Sequence, residues 1–551
     1  MHMPSSQLKR VLLLYTDKYY LIKQIYPFGL DKIADYLRRH SFDVTIDFPF
    51  LTEPDLETNL KDILERTAPD LIGIGIRNID TCMACEPYGN YEGNGYKALY
   101  FLPEVKQLVE IIKKQKPEVP VIAGGGAFTI SPAAILNLLD IEYGIVGEGE
   151  EPMRRFLEVF PDKNKISKIP NLVFKSGNTY QVNPKKPYSF NVAGDIIKRE
   201  SKFNYSYETS GIPIQVKRGC NQNCSYCVEP IIEGRTIIFR DHDDVIKELN
   251  QISEKYDGIQ KICFVDTEFN VPDIEYCSIL VRKILKSGLH DHFRFTSQFL
   301  PRPFDEEFAG LLAEAGFSII LTCDSFADSV LKMNKTSYRN KDIIRALELC
   351  EQFDIDCTVN LIFGLPGETY KTIDHTLKEM IKFPFYISRR YEYTIGGRIY
   401  QGTPLCSFVD RLVDCRHLYG KKSEGYLEPY YYCTPESPLK LKAYIENILP
   451  FSMDFNNRYD RFSFQTLSIS YLIDQGRWED AATRFMDSDI VAQTSIYNYL
   501  FRKLADCEQT EMARSVSEHL MEAIINSSKS SEYTEQLSII RYYLSFLATD
   551  H

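Results

Sequence analysis

The sequence predicts an α/β chain in three parts: an N-terminal doubly wound parallel sheet of Rossmann-like form, a partial (β/α)6 barrel, and a C-terminal helical domain. Three observations predict it. Short apolar runs alternate with amphipathic stretches from Val11 to Val146, as in a parallel sheet wound with helices on both faces. A second alternation starts near Ile212 and gives about six βα units, fewer than a closed eightfold barrel. Beyond Leu439 the chain is helical and glycine-poor, with no proline after Pro450. These changes place the boundaries at 1–195, 196–435 and 436–551.

Each element has its own warrant. Val11 to Tyr15 reads as a strand, Gly29 to His40 as a helix with Ile33, Ala34 and Leu37 in one stripe, and Phe42 to Phe48 as the next strand. A helix over Asp55 to Thr67 precedes Leu71 to Ile76, an apolar run typical of a buried parallel strand. Helix Pro103 to Gln115, strand Val119 to Ala123, helix Pro132 to Leu139 and strand Tyr143 to Val146 complete the first sheet. Glycines follow two of its strands directly, Gly124-Gly125-Gly126 and Gly147-Glu148-Gly149-Glu150, where backbone can approach a flat ligand. On physics alone a nucleotide fits there as well as a corrin. Residues 163–200 are polar and rich in proline, the composition of a bridge between domains with little strand.

In the second domain the expected strands are Ile212 to Val216, Lys261 to Val265, Phe293 to Ser297, Ser318 to Leu321, Thr358 to Phe363 and Tyr391 to Thr394. The helices between them include Asp244 to Tyr256, Asp305 to Ala315 and Asp342 to Phe353. The tail is read as a helical cap over the barrel mouth, with a docking platform for a carrier or partner protein as the rival.

The totals narrow the partners. Lys+Arg 64 against Asp+Glu 76 leaves a net charge of -12, which does not steer toward nucleic acid or anionic membranes and favours a small-molecule or peptide substrate. The 14 cysteines are scattered along a chain in which no signal peptide is read, which suits a reducing cytoplasm. Val119 to Leu139 carries no charge over a membrane-like length, yet Pro120, the three glycines and Pro132 break any continuous helix.

Chemistry concentrates in Cys220-Asn-Gln-Asn-Cys224-Ser-Tyr226-Cys227, where three thiolates can meet on one loop at the C-terminal end of a strand. Such a trio suits an iron-sulfur cluster with one iron open. The alternative is three core or zinc-binding cysteines. Zinc prefers four closed ligands, and His242 is the nearest downstream candidate for the fourth.

The C-x3-C-x2-C spacing and the Tyr226-Cys227 pair resemble the radical S-adenosylmethionine (radical SAM) enzymes, and the flanking R-G-C and C-V-E-P resemble their cobalamin-dependent branch. Pro27-Phe-Gly-Leu30, the triple glycine and V-G-E-G-E resemble that branch's cobalamin domain. D-T-E, D-S, G-L-P-G-E-T and G-R-I-Y-x-G-T-P-L follow in the family's order, so the resemblance covers about residues 8 to 435. It implies a [4Fe-4S] cluster on Cys220, Cys224 and Cys227, with S-adenosyl-L-methionine near Tyr226, Asp266, Glu268, Gln298, Asp324, Ser325, Ile362 and Tyr400. It implies cobalamin against Arg77, Asn78, Gly124, Gly125, Gly126, Gly147, Glu148 and Gly149. Asp324 stands where the family usually has glutamate. Classical cobalamin domains donate a histidine from a D-x-H-x-x-G loop, and up to Glu150 only His2 and His40 occur, neither in such a motif.

Arg77-Asn78-Ile79-Asp80 resembles the segment of tryptophan C2-methyltransferase-type members in which an arginine under the corrin discourages axial ligation; the plain alternative is a salt bridge from Arg77 to Asp80. Cys82 and Cys85 read as two inert thiols. No His-Asp-Ser set is evident, and His292 and His375 are the histidines weighed for a general-base role. The expected activity is cobalamin-dependent radical SAM C-methylation, fed by an external electron donor such as flavodoxin or ferredoxin. Ring contraction, cyclisation or rearrangement without methyl transfer is the second reading, and a non-catalytic metal-stabilised corrin-binding module the third.

Overall fold

The computed structural model describes residues 9–18, 25–50, 55–86, 89–188, 203, 205–256, 258, 260–383, 391–448, 466, 469–470, 472–527 and 533–548. The first sheet begins with β1 (Arg10–Tyr15), β2 (Asp43–Asp47) and β3 (Leu71–Gly75). A hairpin, β4 (Tyr91–Gly93) and β5 (Tyr96–Ala98), stands apart from it, and β6 (Val121–Gly124), β7 (Tyr143–Ile145), β8 (Leu172–Ser176) and β9 (Thr179–Val182) continue it. Its strand order is β2-β1-β3-β6-β7-β8-β9. The first five in that order are parallel, and β8 and β9 are added antiparallel.

The parallel part has the expected doubly wound form because its strands are apolar throughout and need cover on both faces. Val11, Leu12, Leu13, Leu14 and Leu71, Ile72 and Ile74 are all buried. The helix Phe28–Arg39 supplies Ala34 and Leu37 to one face, and Leu102–Gln115 supplies Val105, Leu108, Val109 and Ile112. Asp55 accepts from the Thr58 amide at 3.0 Å and so starts the helix Leu56–Thr67, while Ala68, in the left-handed region at φ 39°, ends it.

The bridge expected over 163–200 needs correcting. Leu172 and Val173 are buried, so β8 and β9 belong to the sheet, and residues 189–200 of the expected bridge lie outside those described. Antiparallel addition at an edge needs buried residues on one face only.

The second sheet follows the order β10-β13-β14-β15-β16-β17, all parallel: β10 (Ile212–Ile214), β13 (Gln260–Phe264), β14 (Phe293–Phe299), β15 (Phe317–Asp324), β16 (Cys357–Phe363) and β17 (Tyr391–Ile395). Between β10 and β13 lies a ribbon of β11 (Lys217–Arg218) and β12 (Ile238–Phe239). Along β15, Phe317, Ile319, Leu321 and Cys323 are buried toward the helices, while Ser318, Ile320 and Thr322 keep some surface on the concave side. β16 repeats this with Thr358, Asn360 and Ile362. Behind the sheet, Phe264, Phe295 and Phe317 stack with ring centroids 5.0 to 6.0 Å apart. Six strands do not close a barrel, so the concave face stays open.

A small sheet of β18 (Gly397–Arg398), β19 (Leu418–Gly420) and β20 (Tyr430–Tyr432) completes the second domain. The helix Pro438–Ile448 then packs on β17 and β5, and Trp478–Met486, Ile490–Asp506, Thr510–Asn526 and Thr534–Ala548 form a bundle in which Phe501 stacks on Tyr543 at 4.2 Å. No helix among the described residues is long and apolar enough to cross a membrane.

Candidate functional site between two strand edges

The parallel strands of the first sheet deliver Asp17, Arg77, Gly124-Gly125-Gly126 and Gly147-Glu148-Gly149 to one edge. Gly125 sits at φ +107°, and a Cβ there would lie 2.5 Å from the Ile76 carbonyl oxygen. Only glycine lets this turn pass so close to the neighbouring strand. The Thr129 hydroxyl donates to Gly125 O at 2.9 Å and accepts from the Gly147 amide at 3.0 Å, fastening the two glycine loops together.

Arg77 donates to Asp17 at 2.9 Å, and the Asn78 amide donates to the same oxygen at 3.1 Å. The simple pairing with Asp80 is therefore corrected. Asp80 is held by Arg398 at 2.8 Å, and the Arg77 guanidinium, half-exposed, stays at the sheet edge over the buried Asp17. Glu148 is deep, its carboxyl raised by burial, and its Oε2 has no hydrogen-bond partner among the described residues.

The cysteine loop leaves β11 and is tied down on every side. Asp266 accepts from the Val216 amide at 3.0 Å and the Lys217 amide at 2.7 Å. Gly219, at φ +92°, lies so close to the Thr236 carbonyl that a Cβ would come within 2.2 Å of its oxygen, and its amide donates to Glu233 at 2.9 Å. The Cys220 amide donates to Gly234 O at 2.9 Å. Ser225 donates its amide (3.0 Å) and hydroxyl (2.6 Å) to Asn334, and its carbonyl accepts from Leu405 at 2.7 Å.

Burial pushes all three thiols up, and for Cys224 and Cys227 neighbouring Cys, Asp324, Glu229 and Glu268 add in the same direction. Deprotonating the trio therefore needs a cationic group against the sulfurs, which is what a cluster's irons supply. Among the described residues no three His, Cys, Asp or Glu surround a point that one metal ion could occupy. His242 begins a helix with its ring stacked on Tyr276 at 4.1 Å and its Nε2 on Tyr276 O, so the fourth zinc ligand weighed for it is not supplied.

The expected SAM residues divide into two groups. Glu268, Gln298, Asp324 and Ile362 reach the concave face of the open barrel or its rim. Tyr226 donates to Asp324 at 2.6 Å, and Asp324 sits at φ +57°, the one step at which the β15–β16 register shifts. Burial lifts the Asp324 carboxyl to about 6, partly offset by the Tyr226 hydroxyl, and lifts Glu268 to about 8. Asp324 Oδ2 and Glu268 Oε2 have no hydrogen-bond partner among the described residues, so both can receive donors from a ligand's ammonium or hydroxyl groups.

Asp266 and Ser325 have partners within the protein. Asp266 is spent on the backbone of the cysteine loop, and Ser325, buried, bonds Thr376 at 3.2 Å and accepts from the Ala327 amide at 3.1 Å. Tyr400 is redirected: its hydroxyl meets Cys82 Sγ at 2.9 Å and donates to Asp80 at 3.3 Å, across the domain boundary.

The two strand edges face each other. Helix Glu229–Ile232, immediately after the cysteines, packs on Gly126–Ile130, and Lys185 reaches the Ile231 carbonyl at 3.2 Å. Ser131 donates to Gly425 O at 2.7 Å, and the buried Arg218 pairs with Glu150 at 3.0 Å. Cys82, Tyr226, Glu229, Glu268 and Tyr400, at or between the two edges, keep accessible side-chain surface and border the chamber between them.

Cys82, expected to be inert, opens onto this chamber with its thiol pushed up to about 12 by burial; Cys85 is buried. Sequence reasoning also missed Glu229, in the quoted C-V-E-P, raised to about 7 by burial and by Glu233 and facing the charge of Arg77. His292 immediately precedes β14 at the opposite edge, and His375 lies on the outer helix Tyr370–Lys382, so neither reaches the chamber.

The comparisons agree with this layout. The radical SAM superfamily model matches residues 214–380. The Tryptophan 2-C-methyltransferase of Streptomyces laurentii is 27% identical over 424 residues, 65% of this chain and 68% of that protein. A tRNA-2-methylthio-N(6)-dimethylallyladenosine synthase of Treponema pallidum (strain Nichols) is 25% identical over 222 residues, only 37% of this chain and 47% of its own length. The radical S-adenosylmethionine methyltransferase TsrM of Kitasatospora setae, solved with cobalamin and a [4Fe-4S] cluster bound, superposes with a TM-score of 0.69 at 21% identity, covering 87% of this chain and 100% of that one. The cobalamin-dependent S-adenosylmethionine radical enzyme OxsB, with aqua-cobalamin bound, gives 0.64 at 12% identity over 98% and 84%. The fold is thus shared with these two solved proteins over most of this chain.

Proposed function

We propose that this chain, with a radical SAM domain over residues 214–380, is a cobalamin-dependent radical SAM C-methyltransferase acting on a small molecule. One observation carries the reading: the helix that follows the Cys220-Cys224-Cys227 loop packs on the helix that follows the glycine turn of the first sheet, so the two edges face each other. When bound, SAM would supply the methyl group and cobalamin would carry it to the acceptor, beside the cluster that the three cysteines would hold.

The chain's own residues hold and align. Cys220, Cys224 and Cys227 are the three sulfur ligands. Glu268 and Asp324 present unpartnered carboxyl oxygens to the donors of SAM, with Tyr226 bracing Asp324 at 2.6 Å. Gly124, Gly125, Gly126, Gly147 and Gly149, at the edge of the first sheet, would take the corrin, and Asp17 and Asn78 keep Arg77 beside them. Cys82, Tyr400 and Glu229 are the polar groups left to meet the methyl acceptor.

The acceptor is an aromatic carbon of the indole type. The tryptophan-methylating relative at 27% identity and the placement of Arg77 at the sheet edge both support it. Incubation without oxygen, with indole-bearing substrates, cobalamin and SAM carrying a deuterated methyl group, is expected to give a product that retains the label, without matching release of 5'-deoxyadenosine. Deoxyadenosine formed in step with product would refute the indole-type acceptor. An unlabelled product would favour ring contraction, cyclisation or rearrangement. Bound zinc without iron or sulfide after reconstitution would leave a non-catalytic module.

A further inference from the structure

We propose that Lys185 is a positioning residue that couples the glycine edge of the first sheet to the cysteine loop, so that filling one site tightens the other. The inference rests on reading Cys220, Cys224 and Cys227 as cluster ligands and the glycine turns as the place of the corrin.

The backbone on either side of Lys185 is held by one buried residue. Asn171, with no exposed surface and φ at +66°, accepts from the Lys186 amide at 2.6 Å, and its own backbone amide donates to Pro184 O at 3.2 Å. Asparagine is one of the few residues besides glycine that tolerate this left-handed conformation. Its side-chain amide donates to Lys186 O at 3.2 Å and to Glu148 O at 3.5 Å, beside Gly147. Lys185 is thereby set against the second glycine turn.

From there the side chain crosses the turn. A Cβ on Gly147, which sits at φ +68°, would lie 2.5 Å from Lys185 Cε, so glycine is needed for the stem to pass. The ammonium then donates to Ile231 O at 3.2 Å and to Ile232 O. These carbonyls end the helix Glu229–Ile232, where intrahelical donors run out and a cation is favoured. Here the cation comes from the other domain.

The helix passes the contact on to the cysteines. Ile232 lies against the first glycine turn, its Cδ1 3.4 Å from where a Cβ of Gly126 would stand. Immediately after the helix, Glu233 accepts from the Gly219 amide at 2.9 Å, and Gly234 O accepts from the Cys220 amide at 2.9 Å. Both glycine turns therefore bear on a helix that starts two residues after Cys227 and ends beside the groups holding Gly219 and Cys220. Lys185 is exposed, so a ring resting on the glycine edge can lie against its stem. Fixing a long side chain removes rotamer freedom. The first group to bind orders the lysine and the second meets it already ordered, which makes the two loadings cooperative.

The test uses the full-length protein without oxygen, with and without reconstituted iron and sulfide, and hydroxocobalamin as the probe. Equilibrium dialysis should find cobalamin bound about tenfold more tightly when the cluster is present. In K185M that ratio should fall to about one, while iron and sulfide content and the thermal midpoint stay near those of the parent, and K185R should restore it. In cofactor-free protein, the Gly219 and Cys220 amides should exchange with deuterium faster in K185M than in the parent. Equal cobalamin affinity with and without the cluster in the parent would overturn the proposal, as would a K185M protein that keeps the parent's ratio or a K185R protein that does not recover it. Unchanged amide exchange in K185M would overturn it whichever groups bind. A parent that takes up no cluster or no cobalamin, while K185M still speeds exchange at Gly219 and Cys220, would count against the cofactor reading alone.

Discussion

Asp266 and Glu268 stand two positions apart at the end of one strand and do opposite work. The first is consumed by two backbone amides; the second keeps a bare oxygen toward the chamber. Replacing Asp266 with alanine orphans the buried Val216 and Lys217 amides, each costing about 1–3 kcal/mol. D266A should therefore melt earlier and lose iron faster than D266N, as followed by thermal denaturation and iron assay. Glu268 has a folded pKa of about 8, above the ordinary 4.5. Its neutral form therefore favours the fold below 4.5, and that contribution is lost as pH rises from 4.5 to about 8. In metal-free protein, denaturation midpoints of E268Q and the parent should coincide near pH 4.5 and separate toward pH 8, with E268Q the more stable. Glu151 has the opposite sign. Arg154 and Arg155 pull it to about 2, so its contribution is full above 4.5 and disappears as pH falls toward 2, and E151Q should remove that acid-side slope. Among single residues the cysteine trio stood out in the sequence because its spacing is local. Which carboxylate of D-T-E faces a ligand did not, because that depends on where the 216–217 backbone passes.

Among elements, the long apolar strands were readable because burial on both faces leaves an uninterrupted run, as in Leu71 to Gly75. β4, β5 and β9 were not, since they are only three or four residues long and their Tyr, Lys, Glu, Gln and Thr give no apolar run, although Tyr96 and Ala98 of β5 are buried. The helix Glu275–Lys286 went unread although Cys277, Leu280, Val281 and Ile284 form a regular buried stripe that could have revealed it. The turn at Gly125 makes a prediction at this scale. G125A would place a methyl 2.5 Å from Ile76 O at a φ of +107°, costing about 1–3 kcal/mol and displacing the helix Gly126–Ile130 that lines the edge. Equilibrium dialysis should find corrinoid binding reduced while circular dichroism stays near that of the parent.

For the whole molecule, the resemblance anticipated which sheet precedes which, but not how they are joined, since no local pattern shows a partner 318 positions away. Arg398 and Asp80, both essentially buried, meet at 2.8 Å, and the guanidinium also donates to the Ile399 and Tyr426 carbonyls. Removing one member of such a pair leaves a charge without compensation, at about 3–5 kcal/mol, whereas removing both is far milder. R398M should therefore unfold at lower denaturant than D80N/R398M, in a cycle read by tryptophan fluorescence or circular dichroism.

The same long-range tie has a bearing on biosynthesis. During synthesis the sheet edge with Asp80 and Cys82 emerges first, and the wall that Arg398 and Tyr400 provide follows 318 positions later. Until then the compartment is a roofless trench. The order of the chain thus leaves this side of the site to be completed last, by an ion pair whose two members are too far apart in sequence to meet until both sheets have formed.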